Sequence, residues 1–152
     1  MPEIGLFAED FAHKAFLEAL LKRLGNEYDV DIQVTTRLCH GSRILIQLRQ
    51  YLHDLHQIGA EERTFDKLVV AIDANCHGLT ERKKQISRLI EDYNCEDRVI
   101  YAIPDPHIER WLLLDSAAFR LVLGKGCSAP DHKCEKDRYK GFLAQAVVDA
   151  GV

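Results

Sequence analysis

Leu68-Val69-Val70-Ala71-Ile72-Asp73-Ala74-Asn75 is a run of five apolar residues, three of them β-branched, that ends on an acid and an amide. So continuous an apolar run predicts a strand covered on both faces, the central strand of a parallel sheet sandwiched between helices. In such a sheet ligands bind outside the carboxyl ends of the strands, which is where Asp73 and Asn75 stand.

The same grammar extends in both directions. Ile4 to Ala8 is a short apolar run followed by Glu9 and Asp10. From Phe11 the spacing turns helical, with Phe11, Ala15, Phe16, Ala19, Leu20 and Leu24 on one face and Gly25-Asn26 as a stop signal. Val30, Ile32 and Val34 then alternate with polar residues, the pattern of a half-buried strand toward an edge. Ser42 can cap a second helix that buries Ile44, Leu45, Leu48, Leu52 and Leu55, and a polar linker from Gly59 to Thr64 leads to the central run.

Beyond it, Thr80 can cap a third helix carrying Ile86, Leu89, Ile90 and Tyr93 inward, and Val99 to Ile103 reads as a fourth strand. Asp105 and Pro106 suit the N-cap and first turn of a further helix with Ile108, Trp111, Leu112 and Leu114 on its apolar face. The order βαβαβαβ predicts a Rossmann-like α/β fold with a mostly parallel four-stranded sheet flanked by helices and right-handed crossovers. The 152 residues suit a single domain. Its segment 124–152 starts polar and ends in a helix carrying Phe142, Leu143, Ala146 and Val147.

Composition narrows the function classes. No apolar run approaches the ~20 residues that span a bilayer and no leader is evident, so a cytoplasmic protein is expected. Five cysteines without a paired framework fit reduced thiols in that compartment. A net charge of −4 argues against gripping nucleic acid over the whole surface. Local basic runs remain: Arg82, Lys83, Lys84 and Arg88 in one segment, and Lys133, Lys136, Arg138 and Lys140 in another. Either can contact phosphates or be a solvated helix face.

Glu9 follows the first strand and Asp73 and Asn75 the third, so the three should approach one another across the sheet edge. Hard Mg²⁺ or Mn²⁺ takes such oxygen ligands, through one or two carboxylates together with substrate phosphate. The alternative is that Asp73 and Asn75 are turn residues and Glu9 a solvated acid. Cys39-His40-Gly41 and Cys76-His77-Gly78 recur after successive strands, and Cys127, His132 and Cys134 lie close in sequence. Structural zinc usually shows Cys-x₂₋₄-Cys pairs, which are absent, and Cys76 lacks the local motif of a nucleophile. His77, beside the acidic edge, is placed to contact substrate phosphate.

Glu9, the Asp73-Ala74-Asn75 triplet and the stretch Ile103-Pro104-Asp105-Pro106-His107-Ile108-Glu109-Arg110-Trp111-Leu112-Leu113-Leu114-Asp115 together resemble the Toprim fold of topoisomerases, primases and overcoming-lysogenisation-defect nucleases. The third stretch looks like that of small Toprim-related proteins, and the resemblance spans residues 3 to 115. It implies a Mg²⁺-dependent (or Mn²⁺-dependent) site for phosphodiester chemistry, with Glu9 as general base or metal ligand and Asp73 as principal ligand. Asn75 would be a neutral or outer ligand and Glu109 a further catalytic residue, although Glu109 also suits the first turn of a helix on dipole grounds. His13, His77 and Lys136 are the candidates for substrate contact.

Two positions depart from the family pattern. Asn75 replaces the second acid of Asp-x-Asp, and His13 stands where a second acid often does, which lowers the expected affinity for a second metal. The resemblance therefore implies either a nuclease subunit, with an ATPase partner in antiviral (phage) defence, or an inactive Toprim-like module that binds nucleic acid or a protein. A receiver-like or hydrolase-like phosphoryl-transfer domain is a third reading, since fold alone does not settle function.

Overall fold

The computed structural model describes residues 1–58 and 65–152, apart from the side chain of Ile58. The linker expected between Gly59 and Thr64 lies outside the described residues. Four strands, β1 (Glu3–Ala8), β2 (Gln33–Leu38), β3 (Lys67–Ala71) and β4 (Val99–Ala102), form one sheet in the order β2-β1-β3-β4, and every pair is parallel. The expected edge strand is β2, and β3 is one of the two interior strands. The helices are α1 (Phe11–Glu27), α2 (Ile44–Ile58), α3 (Leu79–Glu91), α4 (Ile108–Leu114), α5 (Ser116–Leu123) and α6 (Arg138–Asp149).

The core has two layers, one on each face of the sheet. On one face Phe7, Val70 and Ile72 meet Leu48, Tyr51 and Leu52 of α2 and Ile86, Leu89 and Ile90 of α3. On the other, Leu6, Ala8, Val69 and Ala71 meet Leu17 and Phe16 of α1 and Trp111 of α4. The alternation along β1 and β3 that sends successive residues to opposite faces explains why both strands are apolar throughout. The chain leaves β1 toward β2 with its helix on one face. It leaves β3 toward β4, in the opposite direction, with its helix on the other face, as crossovers of a single hand require. The sheet therefore has its topological switch point between β1 and β3, whose register pairs Ala8 with Ala71.

Several helix boundaries differ from those the sequence predicts, each for a local reason. Helix α1 runs through Gly25 to Glu27 instead of stopping there. Gly25 is required because a Cβ would lie 2.7 Å from the carbonyl oxygen of Val30, whose N–H donates to Gly25 O at 2.8 Å. The inward face of α1 carries His13 and Leu17, while Phe11 is 70% exposed. Helix α2 starts after Arg43, preceded by a reciprocal pair of hydrogen bonds between Gln47 and the backbone of His40. Helix α3 starts at Leu79 with Gly78 as its cap, so Thr80 lies inside it. Pro106 is not in the first turn of α4, whose cap is His107, and Asp105 faces the C-terminal segment instead of capping. Asp115 ends α4 and caps α5 by accepting from Ala118 N–H at 2.9 Å, a break the continuous apolar stretch concealed.

Candidate metal centre at the switch point

Glu9 is the first residue past β1 and Asp73 the second past β3, so both acids stand at the carboxyl ends of the two strands that flank the switch point. The loops continue the sheet pairing before they diverge. Glu9 N–H donates to Ala71 O at 3.0 Å, Ile72 N–H to Ala102 O at 3.2 Å and Ala74 N–H to Pro104 O at 2.8 Å. This extension fixes the backbone under the acids. Glu9 Oε2 then accepts from the Asp73 N–H at 2.7 Å, and Arg82 Nε donates to Asp73 O at 3.0 Å, so both sides of the Asp73 peptide are held.

His13 joins them from the first turn of α1. Its ring is fully buried, with Nε2 2.8 Å from Asp73 Oδ1 and 3.6 Å from Glu9 Oε2. Nδ1 lies 2.6 Å from Asp10 Oδ1, and the same oxygen accepts from the His13 N–H at 3.0 Å as the N-cap of α1. Both ring nitrogens therefore face carboxylate oxygens, an arrangement that the doubly protonated imidazolium satisfies completely. One atom each from Glu9, His13 and Asp73 lie within 4.8 Å of one another.

The electrostatics follow from this crowding. Burial raises the Glu9 carboxyl to about 7, aided by the Asp73 and Asp10 charges and opposed by the Asp73 N–H and by His13. For His13, burial favours the neutral ring, but the hydrogen bonds and charges of Asp73 and Asp10 outweigh it and raise the imidazole to about 9. Burial likewise opposes ionisation of Asp10, and the bonds from His13 overcome it, so its carboxyl titrates below the usual range.

The remaining predicted residues are distributed differently. Asn75 takes a left-handed backbone (φ 52°) with its N–H on Pro106 O at 2.9 Å, and its amide makes no hydrogen bond to Glu9 or Asp73. Its turn role is the one observed. Glu109 is buried on α4 and outside the Glu9–His13–Asp73 group. His77 and Lys136 are exposed, His77 on the 3₁₀ turn Asn75–His77 and Lys136 between Cys134 and α6.

Two features went unanticipated. Cys76 and Cys134 are disulfide-bonded, with Cα atoms 5.4 Å apart, against the expectation of reduced thiols throughout; Cys39, Cys95 and Cys127 are free. The bond ties the polar segment before α6 to the turn that follows Asp73. Nearby, His132 Nε2 lies 2.9 Å from Asp105 Oδ1, and Tyr139, fully buried against His107, donates to Asp131 O at 2.9 Å. Arg82, within a basic run open to either phosphate contact or a solvated helix face, is buried and donates to Asp73 O instead. Asp10, one of the acids after the first strand, has no cap role in the sequence reading, although an Asp directly before a helical pattern is a recognised cap signal.

Comparison with family models, curated proteins and solved structures finds no match to the chain. No helix among the described residues is long and apolar enough to cross a membrane.

Proposed function

We propose that the protein is a divalent-metal-dependent, Toprim-like nuclease or nuclease subunit that hydrolyses nucleic-acid phosphodiesters at the Glu9–Asp73 edge. The carrying observation is the convergence of Glu9, Asp73 and His13 donors within 4.8 Å at the switch point of a parallel sheet. The donor spacing suits one ion: ligands on adjacent corners at bonds of about 2.1 Å stand about 3.0 Å apart, and opposite ones about 4.2 Å. Mg²⁺ or Mn²⁺ bound there would supply Lewis-acid polarisation of a phosphoryl oxygen.

The side chains supply the rest. Glu9, hydrogen-bonded to the Asp73 N–H and 3.6 Å from His13 Nε2, stands beside the ion site and serves as the general base that takes a proton from water. Water adds to phosphorus, its proton passes to Glu9, and the P–O ester bond breaks to leave a monoester and an alkoxide that takes a proton from solvent. Asp73, locked by Arg82 and by the bond from its N–H to Glu9, keeps the two carboxylates in fixed relation. Lys133, Lys136 and Lys140, exposed on the segment and helix anchored by Cys134, offer charge for the substrate backbone. An ATPase partner and a role in phage defence belong to the same proposal through the Toprim resemblance.

A second reading has its own observation. A protonated His13 clasped by Asp10 and Asp73 is a built-in cation where a metal would sit, as in an inactive module that binds nucleic acid or a protein. The discriminating experiment offers labelled single- and double-stranded DNA and RNA to the purified chain with Mg²⁺ or Mn²⁺, beside Glu9→Gln. The nuclease predicts metal-dependent cleavage that falls at least about 100-fold in the variant. Cleavage indifferent to the variant would overturn it, and binding without cleavage, unchanged by added metal, would favour the module.

A further inference from the structure

We infer that His13 is itself a metal ligand through Nε2, with Asp10 as its positioning residue, so that the site prefers a borderline transition ion such as Fe²⁺, Co²⁺ or Zn²⁺ to Mg²⁺, with Mn²⁺ serving as its spectroscopic probe. The inference rests on the metal-binding part of the proposed function and adds the identity of the ion.

Ligating histidines almost always donate their second ring N–H to a carboxylate, carbonyl or water, which fixes tautomer and orientation and strengthens the free nitrogen as a donor. Asp10 is built for that task. Its Oδ1 accepts from both the backbone N–H and Nδ1 of His13, at 3.0 and 2.6 Å, so the cap that starts α1 also sets the ring. The ring has no exposed edge, and Nε2 faces only Asp73 Oδ1 at 2.8 Å and Glu9 Oε2 at 3.6 Å. An imidazole buried so completely and aimed at two carboxylates presents one nitrogen and two oxygens to a common point.

Imidazole suits Zn, Cu, Fe and Ni, whereas Mg²⁺ takes carboxylate, carbonyl and water oxygens and dehydrates reluctantly. One nitrogen donor in place of an acid therefore shifts the preference away from Mg²⁺. A metal-bound Nε2 carries no proton, whereas Nδ1 keeps its proton on Asp10 Oδ1 at 2.6 Å, the tautomer that a ligating imidazole needs.

The test needs no catalytic readout. Metal-free protein is loaded with Mn²⁺ and examined by electron spin-echo envelope modulation, which detects a directly bound ¹⁴N, and the same protein is titrated with Mn²⁺ and Mg²⁺. The wild-type chain is expected to show imidazole nitrogen coupling. His13→Asp is expected to abolish the coupling and lower the ratio of Mn²⁺ to Mg²⁺ affinity about tenfold, and Asp10→Asn to weaken Mn²⁺ binding about 10- to 100-fold. Mn²⁺ bound without nitrogen coupling overturns this inference and leaves the acidic metal site standing. Failure of the wild type to bind either ion overturns both. The spectrum of the unmodified chain decides the point even where a variant does not fold.

Discussion

At the scale of single residues, the Asp10–His13–Asp73 chain couples the site to stability. The raised His13 gives stabilisation that is complete below its ordinary value near 6.5 and disappears as pH rises through about 9. Glu9, also raised, favours the folded state below 4.5 and loses that contribution as pH climbs through about 7. Both slopes run the same way, so the metal-free protein is expected to have a Tm that falls from pH 5 to pH 9.5. Asp10, lowered, acts oppositely: its contribution is present above 3.8 and lost on acidification. A divalent ion neutralises the same carboxylates, so the rise in Tm it causes should grow with pH; scanning calorimetry with and without Mn²⁺ checks both slopes. Asp10→Ala also removes the α1 cap and should cost about 1–2 kcal/mol in urea unfolding.

Glu9 and Asp73 could be found from the sequence because strand ends announce themselves through the apolar runs that precede them. His13 could be located but not oriented. Helical periodicity placed Phe11, Ala15 and Leu24 inward, whereas the site turns α1 so that a histidine occupies the most buried position of its first turns. A polar network that outcompetes an apolar face is invisible to a hydrophobic pattern.

At the scale of elements, the βαβ succession, the parallel sheet and its edge strand follow the pattern of the apolar runs, and the exceptions are contacts between segments distant in sequence. Gly25 is one, read as a helix stop and found to be a close approach to Val30. Gly25→Ala should destabilise by about 1–3 kcal/mol despite alanine's better helix propensity, because the obstacle is backbone that cannot rotate aside. Comparison of urea midpoints measures it. The Cys76–Cys134 bond is another, joining residues 58 apart that no local spacing links. Its loop-closure contribution is roughly 4 kcal/mol. Reduction, or Cys134→Ser, should therefore lower Tm and raise amide exchange first in residues 127–137, which the bond anchors; uniform exchange before and after reduction would deny the segment that dependence.

At the scale of the whole molecule, a nucleic-acid substrate of the kind proposed would have to meet this acidic protein through a local surface. Lys133, Lys136 and Lys140 are exposed within eight positions of one another, on the segment and helix that the disulfide brings to the β3 loop. Arg138 is engaged with Asp131 at 2.6 Å, whereas Lys133 and Lys140 pair more loosely with Glu135 at 3.5 Å and Asp137 at 3.8 Å. Lys133→Gln/Lys136→Gln should weaken nucleic-acid binding without sequence preference and reduce the salt slope of log K by about 2. Fluorescence anisotropy across a salt series reads this directly.

If Asp73 holds the ion that acts on the phosphodiester, as proposed, cleavage of labelled DNA and RNA under a Mn²⁺ titration, wild type beside Asp73→Asn, is the decisive measurement. The wild type should cleave with a rate that saturates in metal and vanishes in chelator, and Asp73→Asn should lose that saturation. Equal rates for the two proteins, or no cleavage by the wild type at any metal concentration, would contradict it.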